Sequence, residues 1–142
     1  MRFRCLIHCF LIALVPPAAL AQDVSTTSAT DASAAPVLES LLSADLEGNP
    51  DTAVIVSRVS LPPHTTLPKH WHPGEEFAVV IKGAVTLWQK DKDPVKVSAG
   101  EAIKVPLKQI HTAITEDESV ELIVFRVHAK GQPERVLVDK GD

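Results

Sequence analysis

From Ala53 onward the chain is cut by proline, glycine or charged turns into short apolar runs, none long enough for a helix that could carry a fold. Ala53–Leu61 alternates, with Ile55, Val59 and Leu61 on one face. Glu76–Lys82 and Val85–Gln89 are rich in β-formers and flank Gly83. Further candidates are Val95–Ser98, Ala102–Val105, Ile110–Thr115, Val120–His128 and a last edge strand at Val136–Val138. In Val120–His128, Leu122 and Val124 share one face, and Ile123, Phe125 and Val127 share the other. Breaks fall at Pro62-Pro63, Pro73-Gly74, Gly83, Asp91–Pro94, Gly100 and Pro106. Strands at a spacing of about eight to twelve residues with turn signals between them predict an all-β sandwich or barrel. Glu39–Leu46 fits a short helix or a strand equally well.

The 142 residues suit one domain. Residues 1–21 read as a secretory signal peptide. Arg2 and Arg4 form a basic start, Leu6–Val15 an apolar run, and Ala19-Leu20-Ala21 a small-x-small cleavage site. The apolar run is shorter than the roughly 20 residues of a spanning helix. The expected product is periplasmic or secreted, with no membrane attachment after cleavage. Residues 22–36, rich in Ser, Thr, Ala and Asp, read as a disordered linker, and 37–142 as the folded domain. Both cysteines, Cys5 and Cys9, fall in the leader. The mature chain therefore has no disulfide, thiolate ligand or cysteine nucleophile. Losing Arg2 and Arg4 takes the formal charge from −4 to −6. No basic cluster suggests nucleic acid as a partner.

One constellation carries chemistry: His70-Trp71-His72, then Glu76, then His111. Histidines at i and i+2 point the same way on an extended strand. Glu76 follows the Pro73-Gly74 turn, so it can fold back toward them. A third imidazole from a distant strand completes four N/O donors, a set suited to a divalent first-row ion such as Mn, Fe, Ni, Co or Zn.

These residues sit in two stretches that resemble the paired motifs of the cupin family. The first motif has a leading glycine, His-x-His, a glutamate and a closing glycine. His70, His72, Glu76 and Gly83 match it, and His64 stands in place of the leading glycine. In the second, Gly100, Pro106 and His111 match, while Lys108 replaces a glycine and Thr115 an asparagine. The resemblance is closest to small exported single-domain bacterial cupins. It implies a jelly-roll β-barrel with a metal at one end, held by His70, His72, Glu76 and His111. It also implies a homodimer.

Such a site fits a metal-dependent enzyme on a small molecule, of dioxygenase, decarboxylase, isomerase or lyase type. A non-catalytic ligand-binding or sensor protein fits too, because no acid–base partner beyond the ligands is evident and the chain has no tyrosine. His64 and His128 read as solvated, Glu75 as charged surface, and Trp71 as facing away from the ligands. Lys104, Lys108 and Arg58 are the nearest cationic candidates for a substrate carboxylate. Whether Trp88, Thr115, Phe125 and Arg126 line the cavity is left open by the sequence.

Overall fold

A computed structural model of the chain describes residues 35–138. The expected signal peptide and almost all of the expected linker lie outside them. Within them the strands are β1 (Val37–Asp45), β2 (Thr52–Leu61), β3 (His70–Trp71), β4 (Gly74–Lys82), β5 (Ala84–Gln89), β6 (Val95–Ser98), β7 (Ala102–Val105), β8 (His111–Ile114), β9 (Val120–Ala129) and β10 (Val136–Leu137). Each strand expected from alternation is present to within about two residues, a shift of the size that boundary definitions alone produce. The ambiguous Glu39–Leu46 stretch is the edge strand β1, paired with β2 and bulged between Ser40 and Leu42.

The strands form two five-stranded sheets, ordered β1-β2-β9-β4-β7 and β10-β3-β8-β5-β6, with antiparallel neighbours. The alternation in β2 buries Ile55, Ser57, Val59 and Leu61, while Arg58 faces solvent. In β9 the buried parity is Val120, Leu122, Val124, Arg126 and His128. Together with Ala78 and Val80 from β4, Val85 from β5 and Val97 from β6, the residues Val59, Leu61, Val120, Leu122 and Val124 of these strands make one core between the sheets.

Register divides this interior into an apolar part and a polar end. On the first sheet Leu122 and Val124 lie opposite Val80 and Ala78, and the next inward pair is Arg126 opposite Glu76. On the second sheet His111 pairs with both His70 and Gln89. Every one of these polar residues therefore enters at the same end of the two sheets.

The turns that set the register need particular backbones. Gly83 has φ +75°, and a Cβ there would lie 2.2 Å from the Ser119 carbonyl oxygen, so only glycine fits. His64 and Lys108, which stand where the cupin motifs carry glycine, adopt the same left-handed region, at φ 54° and 56°. The motif geometry is kept without the glycines, at a cost of about 1–2 kcal/mol per residue.

Candidate metal centre

Two strands, β3 and β8, deliver the histidines. His70 starts the two-residue strand β3, and His72 follows directly after it. His111 opens β8, directly opposite His70. All three are buried. Their ring centroids lie 4.9 Å (His70–His72), 4.4 Å (His70–His111) and 5.2 Å (His72–His111) apart.

Main-chain hydrogen bonds orient each ring. His70 Nδ1–H donates to the Pro68 carbonyl at 2.8 Å, His72 Nδ1–H to Glu134 at 2.5 Å, and His111 Nδ1–H to Gln109 at 2.9 Å. A carbonyl can only accept, so the proton of each neutral imidazole is assigned to Nδ1 and the Nε2 lone pair faces inward. One ligand atom from each ring falls within 4.8 Å of the other two. Burial favours the neutral form of two of the rings: it lowers the His70 pKa from 6.5 to about 4 and pushes His111 down as well.

Glu76 borders this cluster. Its Oε2 is 3.0 Å from His72 Nε2, and its Oε1 is 3.8 Å from His111 Nε2. Yet His72 Nε2 is buried without a hydrogen-bond partner. A nitrogen lone pair that close to a carboxylate oxygen is repulsive unless a cation lies beside both. A proton or a metal ion would serve. Glu76 Oε2 also accepts from Arg126 Nε–H at 3.1 Å, and Arg126 Nη1 donates to Glu134 at 3.1 Å. Burial alone would raise the Glu76 pKa. Contact with His72 first, then with His111 and Arg126, outweighs it and holds Glu76 at about 2. Glu76 is thus an anion shared between the imidazoles and a buried guanidinium.

The close approach of β4 to β9 gives Glu76 its place. A Cβ on Gly74 would lie 2.1 Å from the Val127 carbonyl oxygen. Glycine after Pro73 therefore lets β4 begin against β9, two residues before Glu76.

Several sequence expectations need correction. Lys104, Lys108 and Arg58 do not face the cavity. Lys104 pairs with Glu75 at 2.6 Å on the surface, Arg58 pairs with Glu39 and Glu121, and Lys108 is exposed near Trp71. Arg126 and Arg135 are the cations that line the cavity. The Leu122–Val124 parity of β9 carries Arg126 inward, a signal available in the sequence once that face is known to be the buried one. His128 is buried, not solvated, because β9 runs on to Ala129 and pairs it with both Ala53 and Gly74. Its Nε2–H donates to the Gln132 carbonyl at 3.1 Å. Glu134 had no sequence signal; its main chain orients His72 and its side chain holds Arg126.

The open positions are now placed. Trp88 lies outside the cavity, with the Lys69 ammonium 4.6 Å from its ring centroid. Phe125 is exposed and meets Phe77 edge-on. Thr115 is buried; its hydroxyl donates to the Pro62 carbonyl at 2.6 Å and accepts from Thr65 N–H at 2.9 Å, tying down the loop before the first motif. His64 is exposed, 3.6 Å from Asp117.

A family model for the cupin domain matches residues 57–127, half of the chain. The chain is a cupin. Solved structures agree on the fold. The DMSP lyase DddQ from Ruegeria pomeroyi DSS-3 superposes with a TM-score of 0.63 at 21% identity, covering 76% of this cupin and 54% of the lyase. This cupin therefore spans about half of that lyase. An RmlC-like cupin from Methanocaldococcus jannaschii gives a TM-score of 0.56 at 24% identity, over 70% and 85% of the two chains. The polyketide cyclase RemF from Streptomyces resistomycificus gives 0.53 at 18%, over 70% and 82%. No curated protein matches the chain in sequence.

Proposed function

We propose that this cupin holds a divalent first-row metal ion through His70, His72 and His111, with Glu76 as the fourth ligand, and acts as a metal-dependent enzyme on a small molecule. The observation that carries the reading is the set of three Nδ1–H groups given to backbone carbonyls, which leaves three Nε2 lone pairs converging on one point. Fixing the outer nitrogen in this way sets the tautomer a metal requires. An ion bound there would supply Lewis acidity and free coordination positions for an oxygen ligand. The protein's own part is to aim the three imidazoles inward, hold Glu76 ionised through its contacts with His72, His111 and Arg126, and enclose the reacting group in an apolar barrel. The solved neighbours include a lyase and a cyclase, which supports small-molecule chemistry on this fold; shared fold alone does not carry their substrates over.

Metal analysis of the purified protein beside the His72→Ala variant tests the reading. The expected result is stoichiometric Mn, Fe, Ni, Co or Zn in the wild type and its loss in the variant. A wild type that takes up none of these ions at micromolar concentration rejects the proposal.

One observation favours a second reading, a non-catalytic carrier or sensor. Glu76 is held ionised at about 2, which makes it a weak proton acceptor. Among the described residues the only other carboxylate lining the cavity is the half-exposed Glu134, tied to Arg126. A ligand that raises the melting temperature without turnover supports this reading, and turnover of the same ligand refutes it.

We propose further that the protein is exported, with its mature chain beginning at Gln22, and works as a homodimer. Intact-mass measurement of protein from the periplasm or medium tests the first point. For the second, the support is the outer face of the first sheet, where Phe77, Val79, Ile81 and Phe125 are exposed together. Light scattering at tens of micromolar tests it, and a monomer there counts against the dimer.

A further inference from the structure

Resting on the metal-site reading above, we propose that the barrel takes an anionic amphiphile. Its oxygen-anion head lies at the histidine and Arg126 end, and its aliphatic or aryl body lies along the apolar wall.

The cavity encloses about 450 Å³, toward the smaller end of the roughly 300–1,000 Å³ of small-molecule sites. Its polar side chains fall at one end, where Arg126 faces Glu76 across one sheet and His70 faces His111 across the other. The rest of the wall is aliphatic, with Leu61, Leu67, Leu87, Ile103, Leu122 and Val124 among its larger members. Among the described residues no Phe, Trp, Ser, Thr, Asn or Gln lines it. This composition selects in three ways.

First, a sugar or polyol would bury hydroxyls against aliphatic carbon with nothing to bond them, and an unpaired buried polar group costs about 1–3 kcal/mol. Second, a sulfonium or quaternary ammonium head would find no Trp, Tyr or Phe face and would meet Arg126 and a divalent ion of like sign. Third, a small dianion such as oxalate would satisfy the polar end and leave the apolar wall uncovered. A monocarboxylate or enolate with a hydrocarbon body satisfies both. Its head adds negative charge where a metal ion and Arg126 outweigh Glu76, and its body covers carbon with carbon.

The test is calorimetric titration of the zinc-loaded protein with straight-chain carboxylates from butanoate to octanoate, with hexan-1-ol and hexyltrimethylammonium as controls of matched length. Zinc content is measured on the same sample. Affinity should rise by about fourfold per methylene, the transfer gain of one buried CH₂, until the cavity fills. Hexanoate should bind at least tenfold more tightly than either control. In Ala113→Leu, which narrows the wall, the rise should stop at a shorter chain. Affinity independent of chain length overturns the proposal, and if zinc is bound in that sample the metal reading still stands. A chain-length slope in protein that takes up no zinc supports the amphiphile and removes the metal. Preference for hexyltrimethylammonium over hexanoate overturns the assignment of the head.

Discussion

The two halves of the site are built by different means. In the histidine half, backbone carbonyls at Pro68, Gln109 and Glu134 fix three rings. In the charged half, side chains fix one another: Glu76 binds Arg126, and Arg126 binds Glu134. The first arrangement depends on strand register and turn shape, which tolerate changes in distant side chains. The second fails as a unit when one charge is removed. The histidine half is therefore the structural constant of the site, and the charged half is where its electrostatics can be altered.

The largest expected effect separates the halves directly. Arg126→Met should leave Glu76 as a buried carboxylate without its guanidinium. Removing one partner of a buried pair costs about 3–5 kcal/mol, and the partial exposure of Glu76 points to the lower figure, about 3 kcal/mol in the metal-free protein. Zinc, by offering Glu76 another cation, should restore most of it. Urea titrations with and without zinc measure this. Equal loss in both conditions would mean that Arg126 supports the fold independently of the site.

The next effect follows from protonation. His70 is lowered from 6.5 to about 4, so the unfolded chain gains a proton that the folded chain refuses. Stability should fall as pH drops from 6.5 to 4 and level off below that. Glu76, held at about 2 against an ordinary 4.5, contributes stability above pH 4.5 that is lost as pH falls toward 2. The metal-free protein should lose about 3 kcal/mol between pH 7 and pH 4. Arg126→Met should narrow the lower window, in which His72 and His111 also act, and leave the upper one. A denaturation midpoint that is flat from pH 7 to 5 would show that the histidine half is not buried and neutral.

The same division explains what the sequence could reveal. Strands β2, β4, β5 and β9 were legible because alternation of Val, Ile and Leu follows from one buried face. The three histidines were legible because i, i+2 spacing and a cross-strand partner are properties of the backbone. Strand β1 was ambiguous because all nine of its residues are exposed, which leaves no burial pattern to read. Arg126 needed knowledge of which β9 face is buried, and Glu134 needed the path of the loop after β9. Neither is encoded locally. His128 was misplaced because strand ends carry the weakest signal of all.

A smaller effect tests whether Glu134 belongs to both halves. Its carbonyl orients His72 whatever its side chain, whereas its carboxylate, 56% exposed, holds Arg126. An exposed partner contributes about 1 kcal/mol or less. Glu134→Ala should therefore cost about 0.5–1 kcal/mol and leave zinc affinity within about threefold of wild type. A loss of zinc affinity beyond about tenfold would show that the charged half controls the histidines, and the division above would fall.

The smallest expected effect is a gain. Lys108 holds φ 56° in the turn before His111, and its N–H donates to the His72 carbonyl at 3.2 Å. This turn links the two motifs through the main chain. Lys108→Gly should relieve about 1–2 kcal/mol of left-handed strain and return about 0.5–1 kcal/mol of it through the greater freedom of the unfolded chain. The net is a stabilisation of about 0.5 kcal/mol, read as a small rise in the urea midpoint, with zinc stoichiometry unchanged. If the variant is instead destabilised, the lysine side chain contributes something the turn geometry does not contain. The packing of its ammonium near Trp71, 6.0 Å from the ring, is then the contact to examine, with Trp71→Leu in the same background.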